Sequence, residues 1–233
     1  MIKSINLFSD IAEIALKDRF SGFGREDEEI LSYCREHYPP IFNRRVAYRL
    51  QRRHIDCIVV DSVLADLLPT FRQVIHFKYA KKMQITKISM ECGLSVVRIV
   101  ALDHDVREEI RNMLLYKLTP KNLYSRSKLV NMLHILDLRL CFLEQFPEFA
   151  SLVSRDWIRA LEICRERYRN LYTMIEEIIR KQDIDWHCNI IATKLKYPNC
   201  TLKELSSMCH VSQSGICRHL QTFENEASEY LIV

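Results

Sequence analysis

The chain has 233 residues, 48% of them hydrophobic, with four Gly, six Pro and a formal net charge of +4. That length suits one large or two small domains with cores of their own, and scarce Gly and Pro with long periodic runs predict an all-α protein. No stretch approaches the ~20 uncharged apolar residues of a membrane span, and nine Cys without framework spacing suit reduced thiols in a cytoplasm rather than disulfides.

Met1-Ile-Lys-Ser-Ile-Asn-Leu-Phe8 is followed at once by acids, so no signal peptide is expected. The first 66 residues form an N-terminal helical region. Ile11, Ile14 and Ala15 mark an amphipathic turn, Gly22 and Gly24 interrupt, and Glu26 to Glu29 open a helix with a favourable dipole contact. Tyr38-Pro-Pro40 ends that helix, and an Arg-rich helix from Ile41 to His54 follows. Its Arg44, Arg45, Arg49, Arg52 and Arg53 lie within ten residues with no acid among them. Such a block suits a phosphate surface, since neutralised phosphates release counterions; a solvated helix face is the plainer account.

Residues 67–117 predict a first helix-turn-helix. Leu68-Pro69 opens a helix through Arg72, Val74, Ile75 and Tyr79, and Lys81-Lys82 breaks it. Ile85, Ile88 and Cys92 make a short apolar face, Gly93 supplies the turn, and Ser95 caps a helix containing Ile99 and Leu102. The order Leu-Pro, Arg, Val-Ile, Tyr, Ile, Gly-Leu-Ser, Arg-Ile is similar to region 4 of bacterial sigma factors. Ser95, Arg98, Lys81, Lys82 and Lys87 are its expected DNA contacts. The unit departs from that pattern at Val96, Val97, Val100 and Ala101, where polar readers are usual, and at Asp103, His104 and Asp105, which add acid. Two expectations stay open here: a weakened DNA binder, or a contact for RNA polymerase or another protein.

Leu118-Thr-Pro-Lys-Asn-Leu-Tyr-Ser-Arg-Ser127 reads as a linker. Residues 127–182 then predict a helical hairpin and possible dimerisation element. Leu129, Leu133, Leu136, Leu140 and Leu143 recur in steps of four and three, as do Trp157, Leu161, Cys164, Tyr168, Leu171, Ile175 and Ile178. An antiparallel pair through Pro147 is the simplest packing. Ile135, Leu138, Ile158, Tyr172 and Ile179 widen the stripe beyond one seam. That surplus predicts a second partner, either the helix-turn-helix units or another copy of the chain, and the width of the stripe around Tyr168, Tyr172, Ile175 and Ile179 favours a homodimer.

Residues 186–228 hold the strongest signal. Thr201 and Glu204 form a capping box, in which the hydroxyl accepts from the third helical N–H and the carboxylate reaches back. Leu202, Leu205 and Met208 give an apolar face, Cys209-His-Val211 breaks the pattern, and Ser212 caps a second helix. There Ile216, Leu220 and Phe223 point inward, leaving Ser212, Gln213, Ser214, Cys217, Arg218 and Gln221, with Lys203 on the first helix, as DNA-binding residues. Tyr197-Pro-Asn-Cys-Thr-Leu-Lys-Glu-Leu-Ser206, with Val211-Ser-Gln-Ser-Gly-Ile216 and Arg218-His-Leu220, resembles the C-terminal helix-turn-helix of the bacterial WhiA regulators. Nothing matches the homing-endonuclease-like N-terminal part of that family, so the resemblance is to one module.

No Gly-rich phosphate loop, Gly-x-Ser-x-Gly elbow or supported carboxylate pair occurs, so no enzyme is expected. His187, Cys188, Cys200, Cys209, His210, Cys217 and His219 invite zinc, but without a Cys-x-x-Cys pair neither metal nor cofactor is expected. The sequence thus predicts two helix-turn-helix units joined by a long helical hairpin, in a cytoplasmic, sequence-specific binder of double-stranded DNA that regulates transcription. The alternatives are an adaptor or sigma-like protein that binds RNA polymerase or another protein with minor DNA affinity, and a nucleic-acid enzyme subunit or phage packaging protein that uses helix-turn-helix folds only for docking.

Overall fold

A computed structural model describes residues 7–20, 40–145, 147 and 154–231, with backbone alone for residues 7–10, 40–51 and 121. The protein is all-α: ten α-helices, a short 3-10 turn and no strand among the described residues. Two compact units divide the chain at Leu115 and Tyr116. The four stretches of the sequence fall two and two into these units.

Unit 1 contains α1 (Leu7–Phe20), α2 (Pro40–Ala65), α3 (Pro69–Tyr79), α4 (Ile85–Cys92) and α5 (Val96–Leu114). Ala12, Ala15 and Leu16 of α1 are buried against α2 and α5, where Ile55, Val59, Val63, Val106 and Ile110 fill the interior. Two small alanines let the helix backbones come close, so the core is tight despite few large side chains. Pro69 starts α3 at a position whose N–H has no helical partner, and α3 packs on α4 and α5.

Unit 2 contains a 3-10 turn (Pro120–Tyr124), α6 (Arg126–Gln145), α7 (Arg155–Arg180), α8 (Trp186–Lys196), α9 (Leu202–Cys209) and α10 (Gln213–Ser228). The 118–127 stretch, expected as a linker, is packed structure: Leu118, Leu123 and Tyr124 are buried. The Tyr168 hydroxyl donates to the Tyr116 carbonyl at 2.7 Å and accepts from the Leu118 N–H at 3.1 Å, which pins this stretch to α7. Helices α6 and α7 run antiparallel, because Arg126 at the start of α6 meets Glu176 late in α7 while Asp137 meets Arg165 and Arg169 earlier. Most of the expected seam forms their core, but Trp157 is exposed and Leu133 half-buried; α8 lies on α7 as well. Of the surplus residues, Ile135 is buried within this unit, and Leu138, Ile158, Tyr172 and Ile179 are half-buried.

The two units share a plan that the sequence reading missed. Helices α3, α4 and the start of α5 recur 117 residues later as α8, α9 and the start of α10, with lengths of 11 and 8 residues in both copies. A 26-residue helix precedes each set. Buried residues correspond: Val74 with Ile191, Ile88 with Leu205, Ile99 with Ile216, and Val106 with Phe223.

Candidate nucleic-acid interface

In unit 2 the three helices are tied by short-range bonds from the chain's own polar residues. Asp185 caps α8, accepting from the N–H groups of His187 (2.7 Å) and Cys188 (3.2 Å), and those bonds hold its carboxyl below the usual range. Lys194 donates to the carbonyls of Pro198 (2.8 Å) and Cys200 (2.9 Å), closing the loop to α9. The capping box forms in full: Thr201 Oγ1 accepts from the Glu204 N–H, and Glu204 Oε2 accepts from the Thr201 N–H at 2.7 Å. The Thr201 N–H and hydroxyl hold the Glu204 carboxyl low.

The turn between α9 and α10 passes through His210 in the left-handed region, φ 54°. Ser206 Oγ donates to the Val211 carbonyl at 2.6 Å, and Ser212 Oγ accepts from the Gly215 N–H. Gly215 is needed for space: a Cβ there would sit 2.8 Å from Val211 Cγ1. In consequence Ile216, Leu220, Phe223 and Ala227 are buried, with the Phe223 ring 5.4 Å from that of Tyr124. Ser212, Gln213, Ser214, Cys217, Arg218 and Gln221 are exposed together along α10, and Lys203 is exposed on α9. Arg218 also borders an open cleft of about 460 Å³ shared with Glu177, Lys181, His187, His219 and Glu226. The apolar face of α9 differs from expectation. Leu205 and Cys209 are buried, whereas Leu202 and Met208 flank Leu205 by about 60° on either side and stay exposed.

Unit 1 repeats this frame with other chemistry. Gly93 takes the left-handed turn at φ 64°, Ser89 Oγ donates to the Leu94 carbonyl at 2.6 Å, and Ser95 Oγ accepts from the Arg98 N–H. The exposed positions of α5 carry Val96, Val97, Val100 and Ala101. Arg98 is exposed but lies over the Phe71 ring, and Lys81 lies over Phe77. Lys82 and Lys87 are exposed.

Two expectations about charge need correction. Asp103 does not add acid to a phosphate-facing surface: it is buried, meeting Lys78 Nζ at 2.7 Å and Arg107 Nε at 3.1 Å, and it accepts from the Tyr79 hydroxyl at 2.8 Å. Burial, and then that bond, push the Tyr79 hydroxyl far above the ordinary phenol range. His104 and Asp105 do remain exposed. In the Arg-rich helix, Arg52 faces Asp56 and Arg53 faces Asp18 of α1, each at 3.9 Å. That end of the block is partly neutralised; the side chains of Arg44, Arg45 and Arg49 lie outside the described residues.

The Cys/His-rich tail brings His187 and His219 together, their Nδ1 atoms 3.0 Å apart, one ring donating to the other. Among the described residues no group of three His, Cys, Asp or Glu is placed to hold a metal ion, and no helix is long and apolar enough to cross a membrane. Compared with protein-family models, curated proteins and solved structures, the chain matches none. The likenesses to WhiA and sigma region 4 therefore rest on the residues quoted above.

Proposed function

We propose that the protein is a DNA-binding regulator of transcription in which α10 enters the major groove. One observation carries this reading: Gln213, Ser214, Cys217, Arg218 and Gln221 form an exposed polar row at the start of a 16-residue helix whose opposite side is core. Gln suits the paired donor and acceptor of adenine and Arg those of guanine, while Ser212, Ser214 and Lys203 suit phosphate oxygens. Lys81, Lys82 and Lys87 supply further positive charge of the kind that neutralises a duplex backbone. A cytoplasmic place of action belongs to the same reading. Homodimerisation now rests on the general use of two half-sites one helical turn apart, since α6 and α8 cover most of the α7 stripe.

The test is a duplex selected from random sequence with the full chain. Arg218→Ala and Gln213→Ala should each weaken its binding by about 1–3 kcal/mol with helicity unchanged. Wild-type affinity in both variants overturns the assignment of α10 as the reader.

A second reading is an adaptor that contacts RNA polymerase or another protein through unit 1, with minor DNA affinity. The exposed valines of α5 favour it. The two readings separate on salt, because binding through six to ten phosphates falls by roughly 10³–10⁵ between about 50 and 200 mM salt.

A further inference from the structure

We propose that the exposed face of α4 and α5 docks an acidic amphipathic helix of a partner protein. The inference takes the adaptor reading further and holds whether or not unit 2 binds DNA. Its starting point is the shared plan of the two units. At constant spacing, Gln213, Ser214, Cys217 and Arg218 of α10 correspond to Val96, Val97, Val100 and Ala101 of α5. The frame beneath is the same in both, down to the serine bonds across the turn, Ser206 to Val211 and Ser89 to Leu94. What differs is the chemistry offered outward.

Val96, Val97 and Val100 are 41%, 79% and 50% exposed, and Met90 on α4 is 77% exposed. Scattered apolar residues on a surface need no explanation, but three on one face of α5, with Met90 exposed on the helix before it, mark an interaction site. DNA is the poorer occupant. Base edges in the major groove are mostly donors and acceptors, and an apolar face that excludes water leaves them unpartnered; the thymine methyl alone suits it. A helix laid in an apolar groove needs such anchors and nothing more from them.

Charge selects the kind of helix. Lys87 shares a face of α4 with Met90, and Lys81 and Lys82 form the turn just before α4, all exposed. Among the described residues, none of these three lysines has an acidic partner within ion-pair distance. Glu91 and Asp105 are the exposed acids nearby in sequence, so the exposed charge of Lys81, Lys82 and Lys87 leaves this stretch net positive. A partner helix with apolar residues at i, i+3 or i+4 and i+7, edged with Asp and Glu, complements both features.

The experiment uses the full chain as bait for a displayed library of random peptides, followed by fluorescence anisotropy on the top synthetic peptide. Val97→Glu/Val100→Glu and Lys81→Glu/Lys82→Glu/Lys87→Glu are the variants. All five positions are exposed, and circular dichroism checks that both variants fold. Selected peptides should be net negative with helically spaced apolar residues, and each variant should weaken binding at least about tenfold, or about 1.4 kcal/mol. Arg218→Ala should leave peptide binding unchanged, which separates this surface from the α10 reading. Peptides without acidic bias, or wild-type affinity for the peptide in either variant, overturn the proposal. So does a valine variant that loses affinity for an A·T-rich duplex while keeping the peptide, which assigns the face to thymine methyls. A concentration-dependent dimer abolished by the valine variant assigns it to a second copy and overturns the proposal equally.

Discussion

Ser206 donates its hydroxyl hydrogen to the carbonyl oxygen of Val211 at 2.6 Å, across the turn that joins α9 to α10. The bond satisfies a carbonyl that lies between the two helices, and it ties α9 to the start of α10. Ser206→Ala should cost about 1 kcal/mol of stability, as a single hydrogen bond does, and weaken binding to the selected duplex along with it. Urea titration reads the first effect and gel shift the second. Unchanged stability would show that water replaces the hydroxyl there.

Gly215 tests the closeness of the same turn. An alanine would favour the helix by about 1 kcal/mol, but its Cβ meets Val211 Cγ1 at 2.8 Å. Valine is stiff at χ1 and cannot swing away cheaply, so Gly215→Ala should lose about 1–2 kcal/mol net. Adding Val211→Ala removes the obstructing methyl, and the double variant should lose less than the two single losses summed. Additive losses would mean that the turn relaxes around the new methyl.

Asp103 is held by Lys78, Arg107 and Tyr79 inside unit 1. Asp103→Asn keeps an acceptor for Tyr79, leaves Lys78 without its counter-charge and leaves Arg107 with Glu13 alone, 3.8 Å away. Loss of one partner from a buried pair costs about 3–5 kcal/mol, and because Lys78 and Arg107 keep roughly a quarter to a third of their side chains in water, about 2 kcal/mol is expected here. Asp105→Asn, on a fully exposed side chain, should stay within about 0.5 kcal/mol of wild type. Equal effects in chemical denaturation would remove Asp103 from the core of unit 1.

The two capping carboxylates give unit 2 an acid dependence. Backbone N–H groups lower the carboxyls of Asp185 and Glu204 in the folded chain. A lowered folded value means stability that is fully present above the ordinary carboxylate range, near pH 4, and is lost as pH falls through and below it. Glu204→Gln should therefore lower the melting temperature at pH 7 and have a smaller effect at pH 3, where part of the stability that the wild-type carboxylate supplies is already lost. A constant difference across that range would show that charge at position 204 contributes nothing.

The caps at Ser95, Thr201 and Ser212 and the turn at Gly93 were legible because each depends on residues three or four apart, a distance over which side-chain type alone decides the bond. The apolar face of α9 was read too broadly, since residues at i, i+3 and i+6 drift around the helix while Leu205 and Cys209 at i and i+4 stay together. The repeat of 117 residues stayed hidden for a related reason. Between residues 85–99 and 202–216 the identities are Ser89 with Ser206, Cys92 with Cys209, Ser95 with Ser212 and Ile99 with Ile216. What the two copies keep is apolar or polar character at fixed places, which many side chains satisfy.

By itself, then, the sequence determined the helical class, the caps and turns of both short-helix pairs, and the polar row on α10, all consequences of local spacing. Tertiary structure alone decided where charge is usable. Asp103 meets Lys78 across 25 residues and leaves the surface, and Arg53 meets Asp18 across 35 and is partly neutralised. It also decided that the α7 stripe is core, because α6 and α8 return to cover it. Coulomb attraction and burial act through space, and only the folded chain sets which distant side chains come within their reach.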